Sequence, residues 1–338
     1  MKISIGARFF LQNKKTDEFL ELVFVSAVAA VLLLRFFLGV TGYPQLGGGI
    51  FHISHMLWGG FMLLGALVIT LSFLDDASHR IAAMVGGSGF GIFIDEIGKF
   101  ITKDNNYFFE PSIAIIYIAF IVLFLAFRYI SHGFEISKKE ELLNVFETFQ
   151  EHAIYGATAQ EKTKLFGILK GLQNEYSIAD DLIAAAKKIP EIQYRKSHFY
   201  DRAKKKFYSL YTKLIDKTWF VGVVIAIFLA YAALTIGAVL YSAERSSTIF
   251  DLSFVERGGF LFAIVSSVLV VAGIVRVWHA RRHAYILFRS AVLISIFLTS
   301  VFTFFQYQLA ALVGILGNIL LLLAINYMIE QEEMKKIQ

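Results

Sequence analysis

Two neighbouring stretches of this chain place ionisable side chains inside segments apolar enough for a lipid bilayer. The first carries His52 and His55, and the second carries Asp95, Glu96 and Lys99. A charged side chain at the centre of a membrane helix costs about 2.5–3.5 kcal/mol on insertion scales, so such residues mark functional sites by default. The two histidines are three residues apart, which puts them on one face of a helix. They therefore predict a polar site shared with the carboxylates.

The residue types of this site point to a cation. Neutral imidazole and carboxylate oxygen suit zinc, manganese or iron, and the chain has no cysteine to supply a thiolate. The predicted ligands of a cation or divalent metal are His52, His55, Asp95 and Glu96. A closed network of ion pairs is the alternative, because Lys99 lies within one turn of both acids and Arg35 lies at a similar depth in the first span. Both interpretations stay open at this point.

Glycines and a polar loop border the predicted site. The segment before the acids carries Gly86, Gly87, Gly89 and Gly91. Small residues favour close packing of membrane helices, and they also leave room for a ligand. The loop after Lys99 carries Asp104, Asn105 and Tyr107, which are candidate lid residues, although a tight turn beside an aromatic belt has the same composition.

The composition indicates an all-α, polytopic membrane protein. Hydrophobic residues make up 57% of the 338 residues and charged residues only 17%, whereas about half of a soluble domain is apolar even with glycine counted. Eight apolar segments approach the ~20 residues that a crossing helix needs. They are residues 19–41, 50–74, 81–102, 111–130, 218–242, 257–278, 285–306 and 308–328. The basic residues beside them predict a multi-pass protein of the cell membrane with both termini cytoplasmic.

The order of these segments predicts three domains. Residues 1–130 form a first four-helix membrane unit with the polar site, residues 131–217 form a helical cytoplasmic insert, and residues 218–338 form a second membrane unit. The two membrane units share a spacing of glycine pairs and polar turns that is compatible with a 4+4 parallel repeat. The sequence Phe302-Thr303-Phe304-Phe305 takes the place of the acids in the second unit, so the functional site is expected in the first.

The insert has its own helix signals. Capping-box patterns at Ser137, Thr158 and Ser177 predict helix starts, and a further helix is predicted from residue 191. This last helix carries Arg195, Lys196, Lys204, Lys205 and Lys206 among aromatic residues. These are candidate contacts to anionic lipid headgroups, or simply the basic flank that borders cytoplasmic ends of spans. The insert is also a candidate surface for a protein partner or a second copy of the chain.

Two further features bear on partners and metals. The net charge of +5 is spread over loops on one predicted side of the membrane, which argues against nucleic acid as a partner. A second histidine pair, His279 and His283, has a spacing that puts both imidazoles on one helical face. The two arginines between them disfavour a metal there.

The polar site also carries a resemblance. The histidine pair with Trp58-Gly59, the glycine-rich span, Asp95-Glu96 and the turn ending in Tyr107-Phe108 together resemble a group of uncharacterised prokaryotic polytopic membrane proteins. The resemblance covers residues 47–110 and implies no activity. The chain departs from the superfamily of alkaline ceramidases and adiponectin receptors, because Phe51 stands four residues before His55, where those zinc hydrolases have a serine.

Three classes of function follow from the sequence. The first is transport or permeation of an ion or small solute, with the polar site binding a cation. The second is a membrane-embedded, metal-dependent hydrolase acting on a lipid, with the metal activating water. The third is a non-catalytic sensor or assembly protein whose cytoplasmic helices provide the output.

Overall fold

The structure, a computed structural model, is predominantly helical and has no strand within the residues that it describes. These are residues 11–42, 54–103, 109, 111–132, 136–193, 253–277 and 279–334, with single residues at 202, 206, 209, 222, 223, 226 and 230. Five segments within them are long and apolar enough to cross a membrane. They are Thr16–Thr41, His55–Ser72, Ser112–Ser131, Phe254–Val277 and Arg281–Ile329. The predicted helical class is confirmed, and these segments indicate a membrane location.

The chain divides into two compact units. The first contains residues 1–107 and 122–197, and the second contains residues 108–121 and 198–338. The helices that begin the chain are α1 (Thr16–Thr41), α2 (His55–Ser72), α3 (Asp76–Asp95), α4 (Ile97–Ile101) and α5 (Ser112–His132). The division between the units falls within α5.

In the first unit, α3 packs against both α1 and α2. Glycines make this close approach possible. A Cβ atom added to Gly59 would lie 2.7 Å from the carbonyl oxygen of Gly89, and one added to Gly87 or Gly91 would overlap the backbone of α1. The predicted glycine face is therefore filled by neighbouring helices, which is the close-packing alternative for small residues in membranes.

Ion pairs fix α1 and α3 side by side in the same direction. Near the beginning of both helices, Lys15 Nζ lies 2.5 Å from Asp76 Oδ2, and Arg80 pairs with Glu18. Towards the other end of α1, Arg35 lies on the last residue of α3. The orientation of α2 is opposite, because His55 at its start contacts the end of α3.

The bounds of α3 differ from the predicted span of residues 81–102. It begins at Asp76, because the side chain of Asp75 accepts a hydrogen bond from the backbone N–H of Ser78 at 3.0 Å and caps the helix. It ends at Asp95, because Glu96 leaves the helical conformation and a short α4 follows. The helix therefore begins before the predicted span, and the prediction of one continuous helix to residue 102 is wrong at Glu96.

The insert contains α6 (Lys138–Tyr155), α7 (Ala159–Leu172) and α8 (Ile178–Ala186). Both expected capping boxes, at Ser137 and Thr158, are present and confirm those helix starts. The third helix start is confirmed too, since α8 begins immediately after Ser177, but its capping box is wrong. Ser177 makes no side-chain capping hydrogen bond, and Asp180 instead accepts one from Gln173 at 2.6 Å. The core of the insert consists of Val145, Ala157, Leu165, Leu169, Leu172, Ala179, Leu182, Ala186 and Ile189.

The helix predicted from residue 191 does not begin there. Glu191 forms an isolated parallel bridge with Ala157. The N–H of Ala157 donates to the carbonyl of Pro190, and the N–H of Ile192 donates to the carbonyl of Ala157, both at 3.0 Å. This pairing holds residues 190–192 extended. Most of the remaining predicted helix lies outside the described residues.

The residues before α1 lie on α6 of the insert. The N–H of Gln12 donates to Glu140 at 3.0 Å, the N–H of Lys14 donates to Asn144 at 2.6 Å, and the Asn144 amide donates back to the Gln12 carbonyl at 3.0 Å. Lys15 then bridges Asp76 and Glu151 of α6. Burial acts against the charged amine, but the two carboxylates outweigh it and raise the pKa of Lys15.

The second unit contains a helical hairpin after its first long helix. Its elements are α9 (Phe254–Val277), α10 (Arg281–Ile294), a π-helical turn (Ser295–Thr299), α11 (Ser300–Tyr307), a 3₁₀ turn (Gln308–Ala311) and α12 (Leu312–Met334). Gln308 has φ of 47°, which ends α11. The start of α10 packs on the end of α12 through Phe288 and Ile325. The 49-residue apolar segment therefore folds back on itself near Gln308.

The second histidine pair does not share a helical face. His279 lies in the turn before α10, and His283 lies within the helix. Ala280, with φ of −151°, breaks the helix between them. The spacing argument is wrong here because it assumed a continuous helix.

Candidate functional site

The predicted polar site forms where the break between α3 and α4 meets α1 and α2. Asp95 is the last residue of α3 and Glu96 occupies the break, with φ of −89° and ψ of 14°. Each is 1% exposed. Adjacent residues of a continuous helix point about 100° apart, but the break turns both carboxylates towards His55, the first residue of α2. Both acids therefore contact the same imidazole.

His55 bridges the two carboxylates through its two ring nitrogens. Its Nδ1 lies 2.9 Å from Glu96 Oε1, and its Nε2 lies 3.3 Å from Asp95 Oδ2 in a longer contact. An ionised carboxylate only accepts hydrogen bonds, so both contacts are favourable when both nitrogens carry a proton. The geometry therefore favours an imidazolium, which carries one proton more than a neutral imidazole.

Arg35 and Lys99 balance the acids. Arg35 Nε donates to Asp95 Oδ1 at 2.5 Å, and its Nη2 donates to the Asp95 carbonyl at 3.4 Å. Lys99 Nζ donates to Glu96 Oε1 at 3.1 Å. The roles predicted for Arg35 and Lys99 as ion-pair partners agree with these contacts.

Ser54 completes the site and was not among the predicted residues. Its hydroxyl donates to Glu96 Oε2 and accepts a hydrogen bond from the N–H of Met56 at 3.2 Å. Serine is a preferred residue immediately before a helix, so its position near the start of the predicted segment 50–74 was the signal that could have identified it as the N-cap. One side chain thus caps α2 and contacts the buried acid.

Every carboxylate oxygen of the pair has a hydrogen-bond or ion-pair contact. Arg35 donates to one oxygen of Asp95, and His55 Nε2 lies 3.3 Å from the other in an ion-pair contact without hydrogen-bond geometry. His55, Lys99 and Ser54 contact the oxygens of Glu96. Two acids, Arg35 and Lys99 sum to zero charge, and a protonated His55 adds one positive charge. Among the described residues, the contacts are those of the closed ion-pair network that the sequence left open as an alternative.

The predicted metal site is only partly within the described residues. His52 lies outside them, as do the predicted lid residues Asp104, Asn105 and Tyr107. Within the described part, no group of three or more potential ligands is arranged to hold a metal ion. The metal site stays a prediction.

The predicted headgroup contacts are mostly outside the described residues as well. These are Arg195, Lys196, Lys204 and Lys205, whereas Lys206 is described as helical and exposed.

No protein-family model matches this chain, and comparisons with curated proteins and with solved structures found no match. Function must therefore be inferred from the geometry and chemistry of the site.

Proposed function

We propose that the protein transports an ion or small solute across the membrane and that a proton on His55 is coupled to this transport. The observation that carries the proposal is the imidazole held between two buried carboxylates. Ionisable groups within membrane helices occur in ion pathways and proton relays of pumps and transporters. An imidazole also exchanges its proton near neutral pH more readily than other side chains.

The site links this proton to helix packing. Loss of the proton leaves one ring nitrogen with a lone pair facing a carboxylate oxygen, so one of the two contacts of His55 becomes repulsive. His55 begins α2, and its partners Asp95 and Glu96 lie at the end of α3 and at the helix break. Deprotonation therefore weakens the contact between α2 and the α3–α4 break. A change of protonation that biases a contact between helices is the physical basis of a proton-coupled switch.

The proposed topology has eight spans with both termini cytoplasmic in the cell membrane. The hairpin of Arg281–Ile329 supports it, because this 49-residue candidate segment folds into two antiparallel helical halves that could each cross the membrane. The parallel pair α1 and α3, with α2 antiparallel to both, fits alternate crossings. The 4+4 repeat and the three-domain organisation are part of the same proposal.

A divalent metal bound by His52, His55, Asp95 and Glu96 is a competing hypothesis. It would have to share carboxylate oxygens with Arg35 and Lys99, which adds like-charge repulsion in a buried site. The lipid-hydrolase hypothesis depends on that metal to activate water. Proton-linked transport does not require a metal to share the carboxylate oxygens with Arg35 and Lys99.

A sensor or assembly role for the insert has one observation in its favour. Residues 12–15 join α6 to the start of α1 and, through Asp76, to α3. A partner that bound the insert would therefore act on helices that carry the polar site. Protein or lipid partners of the insert remain part of this second proposal.

The test is proton movement in proteoliposomes that contain a pH-sensitive dye. Gradients of Na⁺, K⁺, Mg²⁺, Mn²⁺ and Zn²⁺ are applied in turn, with and without a membrane potential. We expect at least one gradient to drive a pH change with the wild-type protein and His55→Gln to abolish it. His283→Gln, at an exposed histidine of α10, is the matched control. Equal proton movement with His55→Gln would refute the role of His55, and no movement under any gradient would refute cation–proton coupling.

Elemental analysis of the same preparations distinguishes the metal hypothesis from the proton site at His55. Stoichiometric transition metal in the wild-type protein, lost in the His52→Ala/His55→Ala double variant, would establish a metal site in place of the proton site. We expect no stoichiometric metal in either sample.

A further inference from the structure

The second unit contains a polar cavity that is separate from the charged site. Its volume is about 390 Å³, and it lies beside the π-helical turn, α11 and the start of α12. Its polar lining residues are Ser295, Thr299, Ser300, Thr303 and Asn318. None of the residues that line it is charged. Its size is within the range of about 300–1,000 Å³ that is typical of small-molecule sites.

Side chains outside the regular hydrogen-bond pattern stabilise the π-helical turn. The hydroxyl of Ser300 donates to the carbonyl of Ser295 at 2.9 Å, and the hydroxyl of Tyr117 on α5 donates to the carbonyl of Ile296 at 2.5 Å. Single π-helical turns are rare and occur frequently at functional sites. This turn supplies one wall of the cavity through Ser295 and Thr299.

The cavity presents both hydrogen-bond acceptors and donors. Thr303 donates its hydroxyl proton to the Thr299 carbonyl at 3.2 Å, and Ser300 donates to the Ser295 carbonyl at 2.9 Å. The Asn318 amide donates one proton to the Ser295 hydroxyl oxygen at 2.9 Å. The Thr303 and Ser300 hydroxyls and the Asn318 carbonyl keep lone pairs as acceptors, while the Thr299 hydroxyl and the second amide proton of Asn318 are potential donors. A ligand whose groups both donate and accept hydrogen bonds therefore fits the lining.

Thr299 supplies a second, independent indication of a ligand. It is 9% exposed, and its hydroxyl has no hydrogen-bond partner within the described part of the chain. A buried polar group without a partner costs about 1–3 kcal/mol. Thr299 is one of the residues that line the cavity, so a ligand that reaches its hydroxyl can remove this cost.

We propose that the cavity binds a small uncharged polyol. The volume exceeds what a bare ion needs, since one water molecule occupies about 30 Å³ in the liquid. The lining lacks a charge to compensate an ion, whereas its mixed donors and acceptors match the hydroxyl groups of a polyol. Tyr307, Ala310, Ala311 and Gly314 provide the less polar wall for the carbon skeleton. This site does not depend on the proposed proton at His55.

The test is direct binding of radiolabelled glycerol, erythritol and sorbitol to the full-length protein in lipid vesicles. We expect saturable binding of at least one polyol by the wild-type protein. Thr299→Val and Asn318→Leu keep the side-chain shapes and remove the polar groups, and each should weaken binding tenfold or more. Ser290→Ala is the control, because the Ser290 hydroxyl bonds to the Ile286 carbonyl of its own helix at 3.0 Å.

Three results would overturn the proposal. The first is the absence of saturable binding of all three polyols by the wild-type protein. The second is binding that Thr299→Val and Asn318→Leu leave unchanged. The third is saturable binding of ²²Na⁺ that depends on the same two residues without any polyol binding, which would make the cavity a cation site. Thr299→Val removes no hydrogen bond among the described residues, so the fold of this variant is expected to survive, and size-exclusion chromatography of each variant checks this.

Discussion

The charged site of the first unit and the cavity of the second unit both place polar groups among apolar helices, but they differ in how those groups are satisfied. At the charged site, every carboxylate oxygen has a partner, and glycines bring the helices into contact. At the cavity, the lining is uncharged, space remains, and the Thr299 hydroxyl has no partner among the described residues. The first arrangement can exchange a proton through the contacts that His55 makes with both acids. The second has room for a ligand that completes its hydrogen bonds.

The largest expected effect comes from leaving a charge unpaired at the charged site. Arg35→Met should destabilise the protein by about 3–5 kcal/mol, because Asp95 would remain buried without its guanidinium. The measurement is unfolding in detergent. Arg35→Met/Asp95→Asn should recover part of the loss, since a neutral amide replaces the unpaired charge. Arg276→Met, at an exposed position of α9, is the control, and an equal loss there would contradict the prediction.

A smaller effect distinguishes the closed packing from the open cavity. Gly59→Ala should cost about 1–3 kcal/mol, because its methyl group would meet the backbone of α3. Gly60→Ala, one residue further on, and Gly314→Ala at the cavity have free space for a Cβ atom. Both should be neutral or stabilising by up to about 1 kcal/mol. Thermal unfolding of the three variants tests this, and similar losses in all three would remove the contrast.

Removal of the cavity's unpartnered hydroxyl should have an effect of opposite sign. Thr299→Val is expected to stabilise the protein by about 1 kcal/mol in the absence of ligand, because it removes a buried group that has no hydrogen bond. Ser300→Ala should destabilise it by a similar amount, since the Ser300 hydroxyl bonds to the Ser295 carbonyl. The free energy of unfolding of both variants, compared with the wild-type protein, tests these two signs. A loss for Thr299→Val would mean that its hydroxyl is already satisfied.

The smallest effect is expected at the partly exposed end of the α1–α3 pair. Lys15→Met should cost about 0.2–1 kcal/mol, and the cost should shrink at high salt because an accessible pair is screened. The folded pKa of Lys15 is raised above 10.5, so its contribution is complete below pH 10.5 and is lost as the pH rises through the folded pKa. Unfolding in low and high salt measures the difference. The cost of Arg35→Met should not change with salt.

The charged site could be predicted because its chemistry demands partners. Buried Asp95 and Glu96 need cations and donors, and the sequence offers His55, Arg35 and Lys99 at similar depth. The break at Glu96 could not be predicted, because contacts from other helices, through Arg35 and Ser54, stabilise it. The failed cap at Ser177 has the same kind of cause, since Gln173 takes the carboxylate of Asp180.

The cavity was missed because its residues have an ordinary alternative. Serine and threonine in apolar helices commonly bond to carbonyls of their own helix, as Ser290 and Thr303 do. The sequence therefore does not distinguish Thr299, whose hydroxyl lacks such a bond. The π-helical turn depends on Tyr117, which is far away in the chain. The functional site was predicted in the first unit because charged groups within apolar segments stand out in the sequence, whereas hydroxyl groups do not.

The ionic contacts along α1 and α3 restrict how the first unit can move. Lys15 with Asp76, Glu18 with Arg80 and Arg35 with Asp95 all match at a single register. A slide of one helix turn, about 5.4 Å, would break all three pairs and push Gly87 and Gly91 out of their contacts with α1. The two helices therefore form one rigid body. In any conformational change of this unit, α1 and α3 move together, and α2 or α4 moves relative to them.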